Sequence, residues 1–262
     1  MKLSCCIGNG HKYIDPISTN GFRYCEPSLY GLNALEQSEV DSILDDAKRH
    51  YLTSCSFNGM FPADAVLICG KDGYGKLEKY LEGALNKVKN FDSRHITLGS
   101  GAARNIPDGM PVDEAKDMFV EVLKNCVVPY CASRGYRVSI EPLRVQETNF
   151  LHNCREISEI VNKVGDPALG LCIDYYHAIL GGDTDQTFRD LGYMVRHVHT
   201  ASPRRNRLYP DESDHADVKS FFTALKDIGY EGYISLEGDC GPDLYVSTLN
   251  AMKVMADVLL EI

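Results

Sequence analysis

Eight short runs of β-branched or apolar residues recur along this chain at nearly constant spacing, and that spacing restricts the fold more than any other feature. The runs are Lys2–Gly8, Phe22–Pro27, Leu52–Asn58, His95–Gly99, Val138–Glu141, Leu171–Asp174, Val195–His199 and Tyr233–Glu237, and the seven steps from Gly8 to Glu237 average about 33 residues. A strand with its return helix takes about 30 residues. Helical patterns fill the intervals. Ser38–Tyr51 carries Val40, Ile43, Leu44 and Ala47 at helical spacing, and Leu77–Val88 repeats this with Leu77, Leu81, Leu85 and Val88. Val112–Ser133, Thr148–Val164, Val218–Ile228 and Leu244–Leu260 complete the set, the first three with Gly135, Gly165 and Gly229 at or just past their ends. Asn9–Asn20 is interrupted by Gly and Pro and predicts an abbreviated first helix or a loop. Strands alternating with helices at this period predict an α/β fold, a single-domain (β/α)8 TIM barrel over residues 1–262.

Length and charge agree with that expectation. The chain has 262 residues, near the roughly 250 typical of an eight-fold barrel. Its net charge of −10 disfavours polyanions, because nucleic-acid binding depends on neutralising phosphates. No run of 18 apolar residues is present, so the sequence predicts no membrane span. Met1-Lys2-Leu3-Ser4-Cys5-Cys6 reads as a first strand and not as a signal peptide. Ten cysteines without a Cys-x-x-Cys pair argue against a zinc ribbon or redox motif. Cys5, Cys6, Cys25, Cys55, Cys69 and Cys172 lie in or beside apolar runs, where a free thiol behaves as a small hydrophobe, and a reducing cytoplasm fits them.

Four of the runs end in a competent metal ligand: Glu141, Asp174, His199 and Glu237. Parallel strands of a barrel end at one mouth, so these side chains are expected at a common level. Any one of them alone reads as a solvated residue or a helix cap; four at consecutive strand ends point to a joint site. Three carboxylates and one imidazole suit Mn²⁺, Mg²⁺ or Co²⁺, with Zn²⁺ also open. Three carboxylates overcompensate a dication, so the site should also recruit a substrate with vicinal oxygens.

The segments Ile140-Glu141-Pro142-Leu143 with Glu147-Thr148-Asn149, Asp174-Tyr175-Tyr176-His177, His197-Val198-His199 and Gly229 to Glu237 resemble the xylose isomerase-like TIM barrels, most of all the D-tagatose 3-epimerase and D-psicose 3-epimerase group. The resemblance extends weakly to Gly21–Glu26 and Gly99–Pro107. It implies one divalent cation, manganese first, bound by Glu141, Asp174, His199 and Glu237, with Glu141 and Glu237 as the acid–base pair. It implies substrate contacts from Glu147, His177 and Arg205. Read as residues, Glu147 could equally open the next helix as a favourable charge, and His177 could cap a loop. Arg205 stands beside Arg204 and Arg207, any of which could turn inward. His197 reads as a support for its neighbour, and Arg104 as a residue of the pocket lining. The loop from Ser202 to Asp217 lacks the Gly-rich turn usual after the metal histidine of that group. The chain has no Trp, so a stacking wall must come from residues such as Tyr175, Tyr176 or Phe57.

Three functions stay open on this reading. The first is a metal-dependent isomerase or epimerase of a ketose or related polyol ketone, working through an enediolate. The second is a dehydratase of an inosose or keto-acid, and the third a non-catalytic sugar-binding barrel. A DNA-repair role like that of endonuclease IV fits poorly, since it needs more His and Asp ligands and a basic face. The expected partner is a small sugar, with neither nucleic acid nor membrane; a homo-oligomer is left open.

Overall fold

In the computed structural model, which describes residues Met1–Ile262, β1 (Lys2–Gly8) lies between β2 (Tyr24–Pro27) and β8 (Tyr233–Leu236). Outward from β2 comes β3 (Thr53–Ser54); outward from β8 come β7 (Val195–Thr200), β6 (Leu169–Asp174), β5 (Arg137–Ile140) and β4 (His95–Leu98). Every pairing is parallel. The ring closes beyond β3, where the Phe57 amide donates to the His95 carbonyl at 3.0 Å and the Thr97 amide to the Phe57 carbonyl at 2.7 Å. The fold is a (β/α)8 TIM barrel, as the period predicts.

The strands sort their side chains by alternation. Val138, Ile140, Leu171, Ile173, Val198, Ile234 and Leu236 join the apolar cluster shared with the helices. Their neighbours in sequence face the barrel axis, as bonds between non-adjacent strands show: Ser4 Oγ meets Cys55 Sγ at 3.1 Å, and Glu26 on β2 meets His197 on β7. Barrel interiors are usually filled by Val, Ile and Leu. This one holds Ser4, Glu26, Cys55, Thr97, Ser139, His197 and Ser235 instead, all buried.

The helices depart from expectation where a local group competes. Val112–Ser133 is one helical rod in three parts, Val112–Val122, a π segment Leu123–Val127, and Val128–Ala132. Pro129 has no N–H for the carbonyl four residues back, and a wide turn absorbs the misfit. The helix expected over Thr148–Val164 spans only Cys154–Val164. Asn153 caps it, accepting from the Glu156 amide, while Thr148 and Asn149 are drawn to Asn105. Asn9–Asn20 forms a short 3-10 turn and an abbreviated helix, Ile14–Thr19. Two short helices, Tyr175–Leu180 and Asp185–Asp190, fit into the tight step between Asp174 and His199.

All ten cysteines are free; Cys69 and Cys240 are half-buried and the rest buried. Cys69 lies ahead of a 3-10 turn and not in a strand, which corrects its reading as a strand-side hydrophobe. No helix is long and apolar enough to cross a membrane.

An aromatic cluster braces the back of β6 and β7. Phe221, on the helix His215–Asp227, stacks on Tyr175 with ring centroids 4.3 Å apart and meets Phe188 edge-on at 5.3 Å. Tyr175 directly follows Asp174, so this packing fixes the strand end that carries a site residue. Phe221 is fully buried, and Phe221→Ala is expected to cost ~3–5 kcal/mol of stability, read as a lower urea midpoint at unchanged slope.

Candidate metal centre

Glu141, Asp174, His199 and Glu237 sit at the ends of four neighbouring strands, β5 to β8. One ligand atom from each lies within 4.8 Å of all the others. The centre of the group is His199 Nδ1, which is 2.8 Å from Glu141 Oε2, 3.2 Å from Glu237 Oε2 and 4.0 Å from Asp174 Oδ2. Glu141, Asp174 and His199 are buried, and Glu237 is half-buried toward the mouth.

Burial of so many acids shifts them in different directions. Desolvation raises Glu141, and the charge of Glu237 adds to it. Desolvation also raises Asp174, to about 6, against the pull of Arg207. For Glu237 burial acts the same way, but His199 and Arg207 outweigh it and hold the carboxyl well below the usual range. Burial disfavours a charged His199, yet the anionic groups around it, Glu237, Glu26 and Glu141 among them, raise it.

A divalent cation fits this donor set. Asp174 Oδ1 caps the helix Tyr175–Leu180 by accepting from the His177 amide at 3.0 Å, which leaves Oδ2 buried without a hydrogen-bond partner. An orphaned carboxylate oxygen facing two more carboxylates and an imidazole nitrogen is what a hard or borderline ion would satisfy. The Cys172 thiol also lies within reach of Glu141 and His199, but burial pushes it up to about 12 and keeps it protonated.

Around this core the accessory residues separate. His177 is fully buried; its Nδ1 accepts from the Arg144 amide at 3.2 Å, so the ring proton sits on Nε2. That Nε2–H has no hydrogen-bond partner and lies 3.7 Å from Glu147 and 3.9 Å from Asp174. Burial lowers His177 to about 4, so it is neutral near pH 7. Glu147 accepts from Arg144 Nε at 2.8 Å and Arg207 Nη1 at 3.4 Å, well ahead of the next helix, so it does not serve as an N-terminal charge.

Among the three loop arginines, Arg207 reaches the cluster, and Arg205 does not. Arg205 is held by Asp211 at 2.5 Å and Asp214 at 3.1 Å, and Arg204 by Asp217 at 2.6 Å. Arg207 Nη2 lies 3.0 Å from Glu237 and 3.9 Å from Asp174. The difference is made by the backbone: Asn206 and Arg207 adopt φ of 51° and 67°, turning the loop over. Asparagine adopts that left-handed conformation readily, whereas it costs Arg207 roughly 1–2 kcal/mol. It is held by the Asp239 amide, which donates to the Arg207 carbonyl at 2.8 Å.

Further residues complete the surroundings. Asn58 donates to Glu237 Oε1 at 2.6 Å. Glu26 bonds both His197 and His199, so His197 meets its neighbour through a shared carboxylate. The sequence does not mark Asn58, whereas Glu26 is another acid near the end of a strand-like run, the same signal as the four candidate ligands. Arg104 does not line the pocket. It is fully buried and donates to the carbonyls of Glu141 at 2.8 Å and Leu151 at 3.3 Å, fixing the end of β5. Tyr176 is the aromatic at the site, with Arg144 and Arg207 within 5.7 Å of its ring. Phe57 packs on Phe91, and Tyr175 on Phe221.

Gly99, directly after β4, sets the room for Glu141: a Cβ there would collide with Glu141 Oε1. Gly99→Ala should therefore displace this carboxylate and weaken divalent-ion binding, measured by calorimetric titration, while circular dichroism stays unchanged.

A profile of the family described as xylose isomerase-like TIM barrel matches residues 14–255. A proposed hydroxypyruvate isomerase of Xenopus laevis is 30% identical over 128 residues, 47% of this chain and 46% of that protein. A ketose 3-epimerase of Arthrobacter globiformis is 32% identical over 104 residues, 39% of this chain and 35% of that one. The chain thus aligns with less than half the length of these relatives. A crystal structure of D-psicose 3-epimerase, obtained in the presence of D-fructose, superposes over 99% of both chains with a TM-score of 0.82 at 19% identity. The chain belongs to the xylose isomerase-like TIM barrel family.

Proposed function

We propose that this protein is a divalent-metal-dependent sugar isomerase or epimerase acting on a ketose or a related polyol ketone through an enediolate, with Glu141 and Glu237 as its acid–base pair. The observation that carries this reading is the convergence of Glu141, Asp174, His199 and Glu237 on one point at the barrel mouth. The relatives' names agree in kind, since ketose epimerisation and hydroxypyruvate isomerisation both begin with a proton beside a carbonyl.

A divalent cation held by the four residues, manganese in our reading with magnesium, cobalt or zinc as alternatives, supplies Lewis-acid stabilisation of the charge that develops as the proton leaves. Glu141 and Glu237 approach from β5 and β8, on either side of β6 and β7. One carboxylate takes the proton from one face of the substrate carbon; the other returns a proton to the opposite face, and the carbon is inverted. Return to the neighbouring carbon gives aldose–ketose isomerisation instead. The free Nε2–H of His177 donates to a substrate oxygen. Arg207 takes the place expected of Arg205, orienting Glu237 and a substrate hydroxyl, and Glu147 bridges Arg207 and Arg144 through one carboxylate oxygen. A dehydratase would start with the same abstraction, and its enone or dione product would absorb in the ultraviolet. Ten free thiols support a reducing, cytoplasmic setting.

Glu141→Gln and Glu237→Gln are each expected to lower turnover by roughly 10²–10⁴-fold with the barrel still folded. The assay is deuterium wash-in from D₂O across a panel of ketoses, which reports exchange of the α-proton before any product is known. A variant exchanging at the parent rate would remove its glutamate from the acid–base role. Arg207→Ala should cost roughly 10- to 100-fold in kcat/KM, the worth of one charged hydrogen bond, whereas Arg205→Ala should leave kcat/KM within a few fold. Chelation with EDTA should abolish exchange, and added Mn²⁺ should restore it.

A further inference from the structure

Glu26 is the one fully buried carboxylate that the reaction above does not use. It extends from β2, on the far side of β1 and β8 from His199, and its side chain crosses the interior to reach β7. Oε1 lies 3.1 Å from His199 Nε2, and Oε2 lies 2.7 Å from His197 Nε2. Glu26 and His199 have no exposed surface at all, and His197 has 2%. Withdrawing a carboxylate from water is unfavourable unless it is paired. Glu26 is paired on both oxygens, and both partners are imidazoles of the same strand.

The geometry points to Glu26 as the positioning residue of the metal centre, with His197 as its anchor. This inference rests on the proposed function, since it concerns how His199 presents its ligand atom. An imidazole has two nitrogens, and the one that keeps the proton is set by its hydrogen-bond partner. Glu26 is acceptor-only, so Nε2 of His199 carries the proton. Nδ1 is then the nitrogen that faces Glu141, Glu237 and Asp174, and the one whose proton a cation among them would displace to use its lone pair. Rotation of the ring would break the Nε2 bond inside the barrel, where water cannot replace it. His197 keeps Glu26 from turning away, and Ser235 Oγ, 3.4 Å from His197 Nε2, lies against the same pair. The rings of His197 and His199 stand nearly perpendicular at 88° with centroids 5.0 Å apart, so one carboxylate can bridge both edges.

The test uses the full-length protein and Co²⁺, whose visible spectrum reports ligand geometry. Glu26→Gln keeps the shape and one acceptor but removes the charge; Glu26→Leu removes both. Expected for Glu26→Gln is Co²⁺ affinity weaker by roughly 10- to 100-fold, an altered d–d spectrum, and a kcat that recovers more than affinity does at saturating metal. Nitrogen NMR of the loaded parent is expected to find His199 protonated at Nε2. A folded Glu26→Gln variant with parental Co²⁺ affinity and spectrum, or a parent protonated at Nδ1, overturns the inference. If Glu26→Gln does not fold, the parent's tautomer and the affinity of His197→Asn decide instead. A parent that takes up no ion refutes the metal centre itself, an outcome distinct from one in which the parent binds and Glu26 proves indifferent.

Discussion

Charge burial governs this molecule. Glu26, Glu141 and Asp174 are almost entirely withdrawn from water, Glu237 is half-buried, and they converge within one small volume of the barrel. Isolated carboxylates in such surroundings would not remain charged. They are tolerated because His199 stands among all of them, Arg207 closes over the outer pair, and His197 backs the inner one. Even so, Asp174 keeps one oxygen without a partner. The remaining deficit of positive charge is the physical reason to expect a cation at this place.

The rest of the barrel accommodates that requirement. Its axis is lined by serines, threonine, cysteine and histidine, while the aliphatic residues of the same strands face the helices. Glycines stand where side chains would obstruct the site. Gly99 leaves room for the Glu141 carboxylate, and Gly238, directly after Glu237, lets the Arg207 carbonyl approach. Arg104 spends its guanidinium on two backbone carbonyls behind the site, accepting burial that lowers it to about 10. Packing and electrostatics therefore support the same four strand ends from opposite sides: aromatic stacking behind Asp174, hydrogen bonds behind Glu141 and His199, and a strained loop in front of Glu237.

The strand period and the four candidate ligands were legible because each depends on a short-range rule. Alternation within a strand decides which face a residue takes, and the unit length decides which strand ends share a level. Glu141, Asp174, His199 and Glu237 follow from those two rules together, and the structure brings them to one point. Helix limits were less legible. Pro129 produced a π segment inside a continuous helix, and Asn153 outcompeted Thr148 as a cap because Thr148 bonds to Asn105 across two loops. Such competition depends on partners about 40 residues away.

Arg205 and Arg207 mark the boundary between the two kinds of information. Their side chains are identical and two residues apart, so composition and motif spacing cannot rank them. Two left-handed residues, the zipper between Arg207 and Asp239, and the capture of Arg205 by Asp211 and Asp214 select Arg207. The same holds for Glu26, whose importance depends on two histidines over 170 residues away. The amino-acid order alone determined the eight-fold α/β architecture and marked Glu141, Asp174, His199 and Glu237 as strand-end candidates, because both arise from local periodicity. Tertiary structure alone decided which arginine enters the mouth and which carboxylate braces the imidazole, because those choices are made by groups that meet only once the barrel has closed.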